Sequence, residues 1–102
     1  MSRSSSAYLP KDWHGRLPAP AIYYAQHLGN LDQADANGWA PAPCPFHDDH
    51  GASLSVKLVG TKGAYRCDTC GNHGDMVAFH MACTELPFKE AVRDLIGLRG
   101  RA

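Results

Sequence analysis

The sequence lacks the features of a membrane or secreted protein. No apolar run approaches the roughly 20 residues that a transmembrane helix requires. The N-terminal segment MSRSSSAYLPKDW contains no hydrophobic stretch of the kind found in signal peptides. We therefore expect a cytoplasmic protein. In that reducing compartment its four cysteines are better candidates for metal ligands than for disulfide bonds.

The sequence also lacks net charge, because ten basic residues balance ten acidic ones. Overall charge therefore gives no argument for a nucleic-acid partner, and such an argument has to come from how the charges are distributed. A chain of 102 residues, 44% of them hydrophobic, is long enough for one domain with a modest core. We expect a monomer.

Composition separates a tail from a folded part at the N-terminal end. Residues 1–17 are polar and rich in serine, and we predict a disordered tail there. The predicted domain spans residues 18–98, and it begins with a short helix between residues 18 and 29. Pro20 suits the first turn of that helix, because proline lacks the N–H that is unpaired there, and Gly29 suits its end.

A β-hairpin is predicted in the middle of the chain. Apolar and polar residues alternate over residues 53–59, which is the period of a half-buried strand. Residues 60–63, GTKG, have the composition of a tight turn, and residues 64–67 form the return strand. Trp39 begins a further short strand. Trp39 and Phe46 are both expected in the core.

The spacing of apolar residues becomes helical after residue 74. Asp75 is the predicted N-cap of a helix whose apolar stripe consists of Met76, Phe79, His80 and Cys83. Cys83 is expected to be buried there as a small hydrophobic residue. A second amphipathic helix is predicted over residues 87–98, and residues 99–102 are expected to fray.

The strongest motif consists of two pairs of metal ligands. It reads Cys44-Pro-Phe-His47, then nineteen residues, then Cys67-Asp-Thr-Cys70. Two ligands separated by two residues can turn toward one ion, and the predicted hairpin brings the second pair back to complete a tetrahedron. The motif predicts a zinc ribbon with one structural Zn²⁺ per chain.

Other uses of these residues are weaker. Two disulfides or four free cysteines do not require the paired ligand spacing. His50 and His73 each compete with His47 for the fourth position, whereas no residue has ligand spacing to Cys83. Four protein ligands leave no open coordination position, so we expect no enzymatic activity. A redox use of the second cysteine pair is disfavoured, since such pairs open a helix in a βαβ unit.

The charges are distributed unevenly along the chain. Residues 17–56 contain four Asp and no Lys or Arg, whereas residues 57–66 contain no acid and three basic residues, Lys57, Lys62 and Arg66. Together with Tyr65 they form a basic hairpin of the composition that single-strand binders use, with cations for phosphates and rings for bases. The predicted register places Lys57 opposite Arg66. The alternative is a solvated hairpin face.

Residues 39–98 resemble a known family in several separate features. These are CPFH, a Ser-containing strand after it, Tyr65-Arg66-Cys67, CGNHGD, and PFKEAV in the last helix. The segment is similar to the N-terminal Cys-His-Cys-Cys zinc-binding domain of bacterial and phage DNA primases. We expect a small α+β zinc ribbon: a short antiparallel β-sheet with zinc knuckles, one N-terminal helix and two C-terminal helices.

The resemblance also implies contact with single-stranded template DNA and help to a primase during initiation of RNA primers. The acidic cluster of a primase's polymerase part is absent; Asp48 and Asp49 come closest, and a solvated loop fits them better. We therefore expect a stand-alone accessory module for a separate primase or replication protein. The alternative is a structural zinc module that docks on a protein through Tyr23, Tyr24 and the last helix without binding DNA.

Overall fold

The structure, a computed structural model, describes residues 9–29, 31, 33–46 and 53–101. Its elements in chain order are a 3-10 helix Trp13–Arg16, α1 Pro20–Leu28, β1 Trp39–Ala42, β2 Leu54–Lys57, β3 Tyr65–Cys67, β4 His73–Gly74, α2 Met76–Thr84 and α3 Phe88–Arg101. The predicted α+β class is confirmed, with one α-helix before an antiparallel sheet and two after it.

The sheet is a meander of four antiparallel strands in the order β1-β2-β3-β4. Alternation in β2 buries Leu54 and Val56 and leaves Ser55 and Lys57 only half-buried on the other side. In β3 the same alternation exposes Arg66 between two buried residues. The sheet thus has a core side and a second side, which we call the outer face.

The register of the hairpin differs from the predicted one by two residues. Ser55 lies opposite Arg66, so the predicted pairing of Lys57 with Arg66 is wrong. The backbone N–H of Lys57 instead donates to the carbonyl of Ala64 at 2.8 Å. The connection between the strands therefore runs over residues 58–64. A shift of two leaves every side chain on its predicted face, because side chains alternate with a period of two.

Contacts with the helices hold this longer connection. The hydroxyl of Tyr24 donates to the carbonyl of Gly63 at 2.5 Å, and the N–H of Met76 donates to the carbonyl of Lys62 at 3.0 Å. Gly63 has a φ of +65°, and a Cβ there would lie 2.8 Å from the Cβ of Met76, so glycine alone fits. The turn is drawn toward α1 and α2 and does not close as a tight four-residue turn.

The first helix begins and ends where the sequence predicts. Pro20 lies in its first turn, and Gly29 ends it with a φ of +75° and an N–H that donates to the carbonyl of Ala25. Tyr23 and Tyr24 of α1 are fully buried. The alternative of protein docking therefore cannot use these two rings, because both fill the core beneath the helix.

The core lies between the sheet and the helices. Phe79 of α2 is at its centre and meets the rings of Tyr23 and Tyr24 edge-on, with centroids 6.0 and 5.0 Å apart. The third helix contributes Ala91, Val92 and Leu95, which are fully buried. The amphipathic stripe predicted for this helix is therefore confirmed at its centre.

A chain of hydrogen bonds, buried at Tyr23 and His80 and partly exposed at Asp94, joins the three α-helices. The hydroxyl of Tyr23 lies 2.7 Å from Nδ1 of His80, and Nε2 of His80 lies 2.6 Å from a carboxylate oxygen of Asp94. In the tautomer that carries its proton on Nε2, this nitrogen donates to the carboxylate of Asp94 and Nδ1 accepts from the hydroxyl of Tyr23. Burial raises the pKa of Tyr23, so the hydroxyl keeps its proton. Both ring nitrogens of the buried His80 are thereby paired.

The predicted disordered tail has to be corrected for residues 9–17. This segment contains the 3-10 helix, and the ring of Trp13 meets Phe88 of α3 edge-on with centroids 5.5 Å apart. Leu17 also packs against the core. These few apolar side chains anchor the segment to the rest of the domain, although its overall composition is polar. Residues 1–8 lie outside the described residues.

Two predictions at the C-terminal end are also corrected. The last helix continues to Arg101, past its predicted end at residue 98. Cys83 is exposed and does not lie in the core. Residues 82–85 are all exposed, because the last turn of α2 runs beyond the elements that cover its earlier turns. Within the described part of the chain, no helix is both long and apolar enough to cross a bilayer.

Asp75 caps α2 as predicted, since its carboxylate accepts from the N–H of Ala78 at 2.8 Å. Replacing it by Ala should lower the free energy of unfolding by about 1 kcal/mol, because the cap and its favourable interaction with the helix dipole are lost. Asp75→Asn keeps an acceptor and should lose less. Thermal unfolding of zinc-loaded variants measures this. An unchanged stability of Asp75→Ala would contradict the cap.

The Tyr23–His80–Asp94 chain predicts a larger effect. Tyr23→Phe leaves Nδ1 of His80 buried without its donor and should lower the free energy of unfolding by about 1–3 kcal/mol. In Tyr23→Phe with His80→Leu both polar partners are gone, so the double variant should lose less than the two single losses added together. Denaturant unfolding of all four proteins tests this, and simple additivity would argue against the chain.

Candidate metal centre and nucleic-acid interface

Three of the four predicted zinc ligands meet in the structure. Cys44 follows β1, Cys67 ends β3, and Cys70 lies in the turn before β4. Their sulfur atoms all lie within 4.8 Å of one another, and Sγ of Cys44 is 3.8 Å from Sγ of Cys70. His47, the predicted fourth ligand, lies outside the described residues, as does its competitor His50. The sheet therefore brings Cys44 together with Cys67 and Cys70, which lie 23 and 26 positions further along the chain.

The spacing of the sulfur atoms fits a tetrahedral zinc ion. Two thiolates at about 2.3 Å from a tetrahedral Zn²⁺ lie about 3.8 Å from each other. The separation of the Cys44 and Cys70 sulfurs has this value. Three thiols with one further donor are also a typical ligand set of structural zinc sites. The residues present therefore fit the metal that the motif predicts.

In the knuckle at Cys67, hydrogen bonds from the backbone favour the thiolate form of the cysteine. Backbone N–H groups of Cys70 and Thr69 point at the sulfur of Cys67. Burial of Cys67 opposes ionisation, but these hydrogen bonds outweigh it and lower the pKa of its thiol. Gly71 ends the knuckle with a φ of +81°, and its N–H donates to the carbonyl of Cys67 at 3.0 Å. A residue that tolerates positive φ is needed there, as the sequence predicts.

Cys44 differs from Cys67 in its environment. Burial is the largest influence on it and raises the pKa of its thiol, although a hydrogen bond from the backbone of Phe46 favours the thiolate. Zinc binds the thiolate form, so a bound ion would take the place of the proton that burial favours on Cys44.

The other candidate ligands lie apart from this cluster. His73 belongs to β4, and its Nδ1 lies 3.1 Å from the carbonyl oxygen of Gly71. Cys83 is exposed at the end of α2. Among the described residues, neither groups with the three sulfur atoms.

The outer face of the sheet carries an aromatic ring between two cations. Trp39 lies directly opposite Lys57, whose Nζ is 5.8 Å from the centroid of the indole. The guanidinium carbon of Arg66 is 5.7 Å from the same centroid. Both distances are within the range of cation–π attraction. We call Trp39, Lys57 and Arg66 the outer-face cluster.

The outer-face cluster corrects two predictions. Tyr65 is buried and packs on Phe79 with centroids 5.1 Å apart, so its ring is not available to a base. Trp39, predicted in the core, lies on the outer face, whereas Phe46 does pack against the core. The outward position of Trp39 could have been predicted from the small residues Ala40 and Ala42. Because these two alanines are buried, the alternate positions of β1 face outward.

Two shallow concavities extend from Trp39 along the outer face. One has a volume of about 400 Å³ and leads to the hairpin connection, where Lys62 lines it. The other has a volume of about 520 Å³ and leads past Arg66 to Asp68 and His73 beside the metal centre. Asp68 also lies 3.7 Å from Arg66 as an exposed ion pair. Three of the four predicted nucleic-acid residues, Lys57, Lys62 and Arg66, thus border one continuous surface.

Comparisons with known proteins identify the family. Residues 27–100 match the CHC2 zinc finger of the DnaG zinc ribbon. The chain belongs to this family, and it is a zinc-binding module of the primase type. The family match begins inside α1, so the 3-10 helix and the first turns of α1 lie outside it.

The curated relatives are DNA primases. The chain is 46% and 48% identical to the DNA primases of Helicobacter pylori strains 26695 and J99 over 54 residues, which are 53% of this chain and 9% of each primase. It is 33% identical to the DNA primase of Mycoplasma genitalium over 75 residues, which are 74% of this chain and 12% of that primase. The chain thus spans about a tenth of the length of the curated relatives it matches.

The metal centre predicts which variants lose zinc. Structural zinc contributes roughly 10–16 kcal/mol of apparent binding energy, which exceeds the stability of most small domains. Cys67→Ser should therefore lose the metal and unfold the sheet, and His47→Ala should lose zinc as well. Cys83→Ala is the matched control and should keep one zinc per chain. Metal analysis and circular dichroism measure both. Retention of zinc by His47→Ala, or its loss from Cys83→Ala, would contradict the ligand assignment.

Proposed function

We propose that this member of the CHC2 zinc finger family binds single-stranded DNA on the outer face of its sheet and presents it to a primase. The coarse part of this function, a zinc-binding module of the primase type, follows from the family. The proposal adds a single-stranded DNA ligand, a primase partner and a cytoplasmic location. We propose that the chain itself catalyses no reaction.

The observation that carries the proposal is the outer-face cluster. Proteins that bind single strands combine a positively charged track for the backbone with aromatic rings on which bases stack. Trp39 provides the ring, and Lys57 and Arg66 lie within 6 Å of its centroid. A base stacked on the indole therefore brings its flanking phosphates close to both cations. Lys62 continues the positive charge at the hairpin connection.

The position of the cluster on the sheet makes it rigid. Trp39 and Lys57 are a directly opposed pair in the β1–β2 ladder, and Arg66 is one strand further across. Side chains anchored on paired strands lose less conformational freedom on binding than side chains on loops. The cation–π contacts further restrict both long side chains before a ligand arrives.

The zinc supports this surface and takes no part in a reaction. We propose Cys44, His47, Cys67 and Cys70 as its four ligands, a set that leaves no position open for a substrate. Through these ligands a bound ion would hold the segment after β1 against the turn between β3 and β4. That turn borders the outer face at the end where Arg66 lies. Zinc binding and DNA binding are therefore linked through the shape of the sheet.

A primase is the partner that the relatives indicate. Each curated relative carries a similar segment within a much longer DNA primase. A module that holds the template beside a separate catalytic centre fits that arrangement. The rival function is docking on a protein without DNA binding. Tyr23 and Tyr24 cannot be its contact residues because they are buried, whereas Phe88 of α3 is 44% exposed.

The proposal predicts the effect of removing the two cations. Lys57→Gln with Arg66→Gln should keep zinc and fold but bind oligo-dT several-fold more weakly. The slope of log affinity against log salt should fall by about 1.4, because single strands release about 0.7 counterions per phosphate contact. Trp39→Ala should weaken binding by about 1–3 kcal/mol with an unchanged salt slope.

A matched control removes two positive charges elsewhere. Lys11 and Lys89 are exposed and lie before the 3-10 helix and on α3, respectively. Lys11→Gln with Lys89→Gln should leave affinity and salt slope close to those of the unaltered chain. Equal losses of affinity in both double variants would mean that net charge, and not the position of Lys57 and Arg66, explains the effect. Absence of binding by the zinc-loaded, unaltered chain would reject the DNA proposal and favour protein docking.

A further inference from the structure

The three clustered cysteines differ in their access to solvent. Cys44 and Cys67 are buried, with 4% and 2% of their surface exposed, whereas Cys70 is exposed. A thiolate is the nucleophile in reactions with electrophiles and oxidants, and its reactivity follows its electron density and its access. Among the three cysteines, Cys70 is therefore the one that reagents from solvent reach directly.

Each of the three sulfur atoms has an amide donor. The two buried sulfurs accept hydrogen bonds from the backbone. The N–H of Phe46 donates to Cys44, and the N–H groups of Thr69 and Cys70 donate to Cys67. The exposed sulfur of Cys70 is contacted by a side chain: Nδ2 of Asn72 lies 3.3 Å from it. A substitution can remove this donor and leave the backbone of the knuckle unchanged.

The backbone holds Asn72 in position for this contact. Its carbonyl accepts a hydrogen bond from the N–H of Cys67 at 2.8 Å, which ties it to the end of β3. Gly71, with a φ of +81°, turns the chain between Cys70 and Asn72. The neighbouring His73 instead points Nδ1 at the carbonyl oxygen of Gly71. The geometry therefore directs one amide at the exposed sulfur.

We infer that Asn72 is a positioning residue that protects the exposed zinc ligand Cys70. Its N–H withdraws electron density from the thiolate, which lowers the nucleophilicity of the sulfur toward electrophiles from solvent. It also fixes the orientation of the Cys70 side chain toward the ion. Outer partners of metal ligands act in this way at other metal sites. This role rests on zinc binding alone and is independent of the DNA proposal.

The chemistry is testable with an alkylating reagent. Sγ of Cys70 attacks the methylene carbon of iodoacetamide, a C–S bond forms, and iodide leaves with the electron pair of the broken C–I bond. The resulting thioether is neutral and a poor zinc ligand, so the S–Zn bond breaks and the ion is released to a chromogenic chelator. The rate of zinc release and the site of alkylation therefore both report the alkylation of Cys70.

The most informative variant is Asn72→Asp. It has nearly the same size, but it replaces the N–H donor by a carboxylate oxygen that repels the thiolate. Asn72→Ala removes the donor without adding charge. Loss of such a partner at a metal ligand changes metal binding by on the order of tenfold or more. We expect zinc release under iodoacetamide to be about tenfold faster in Asn72→Asp and several-fold faster in Asn72→Ala.

Two controls accompany these variants. His73→Ala changes the adjacent exposed residue, which contacts a carbonyl oxygen and no cysteine, and should leave the release rate unchanged. Cys83 is exposed and lies outside the cluster, so its alkylation in the same sample is an internal standard. Peptide mass mapping then gives the ratio of alkylated Cys70 to alkylated Cys83, which should rise only in the two Asn72 variants.

The outcomes separate protection from a general structural role. Faster release with alkylation concentrated at Cys70, and with unchanged melting temperature, supports the inference. A shifted thiolate-to-metal charge-transfer band in cobalt-loaded Asn72→Asp would support it independently. Release rates equal to those of the unaltered chain would overturn it. So would faster release with Cys44, Cys67 and Cys70 alkylated equally, because that result means a loosened site.

Discussion

The closure of the metal centre is the constraint on which the rest of the molecule depends. Three thiols from two separate parts of the sheet, one after β1 and two at the end of β3, meet within 4.8 Å. Without a cation between them, burying two of these sulfurs as thiolates would be costly. With zinc, the same cluster joins the end of β1 to the turn after β3. A domain of this size has a modest core, so a single ion of this binding energy decides whether the sheet is held together.

Zinc holds one end of the sheet, and the helices hold the other. Tyr24 and Met76 make hydrogen bonds to the connection between β2 and β3, which sets the hairpin register. That register in turn places Lys57 and Arg66 on either side of Trp39. The surface proposed for DNA thus depends on contacts on both sides of the sheet: the metal beside it and the aromatic core behind it.

The N-terminal segment has a larger part in the core than its composition indicates. The family match begins at residue 27, yet Tyr23 and Tyr24 are fully buried. Tyr23 reaches His80, and through it Asp94, so one hydrogen-bond chain spans all three α-helices. Such a chain stabilises only when every member is paired, which makes the position of α1 specific. The segment before the family match therefore helps to fix the helices that pack against the sheet.

The sequence by itself determined the features that depend on neighbouring residues. The clustering of Cys44, Cys67 and Cys70, the helix ends at Gly29 and Asp75, and the strand alternation follow from local patterns, and the structure agrees with them. Only the tertiary structure decided the hairpin register, the outward position of Trp39, the exposure of Cys83 and the packing of Trp13. Each of these depends on which distant surface covers a residue, and that surface exists only once the chain has folded.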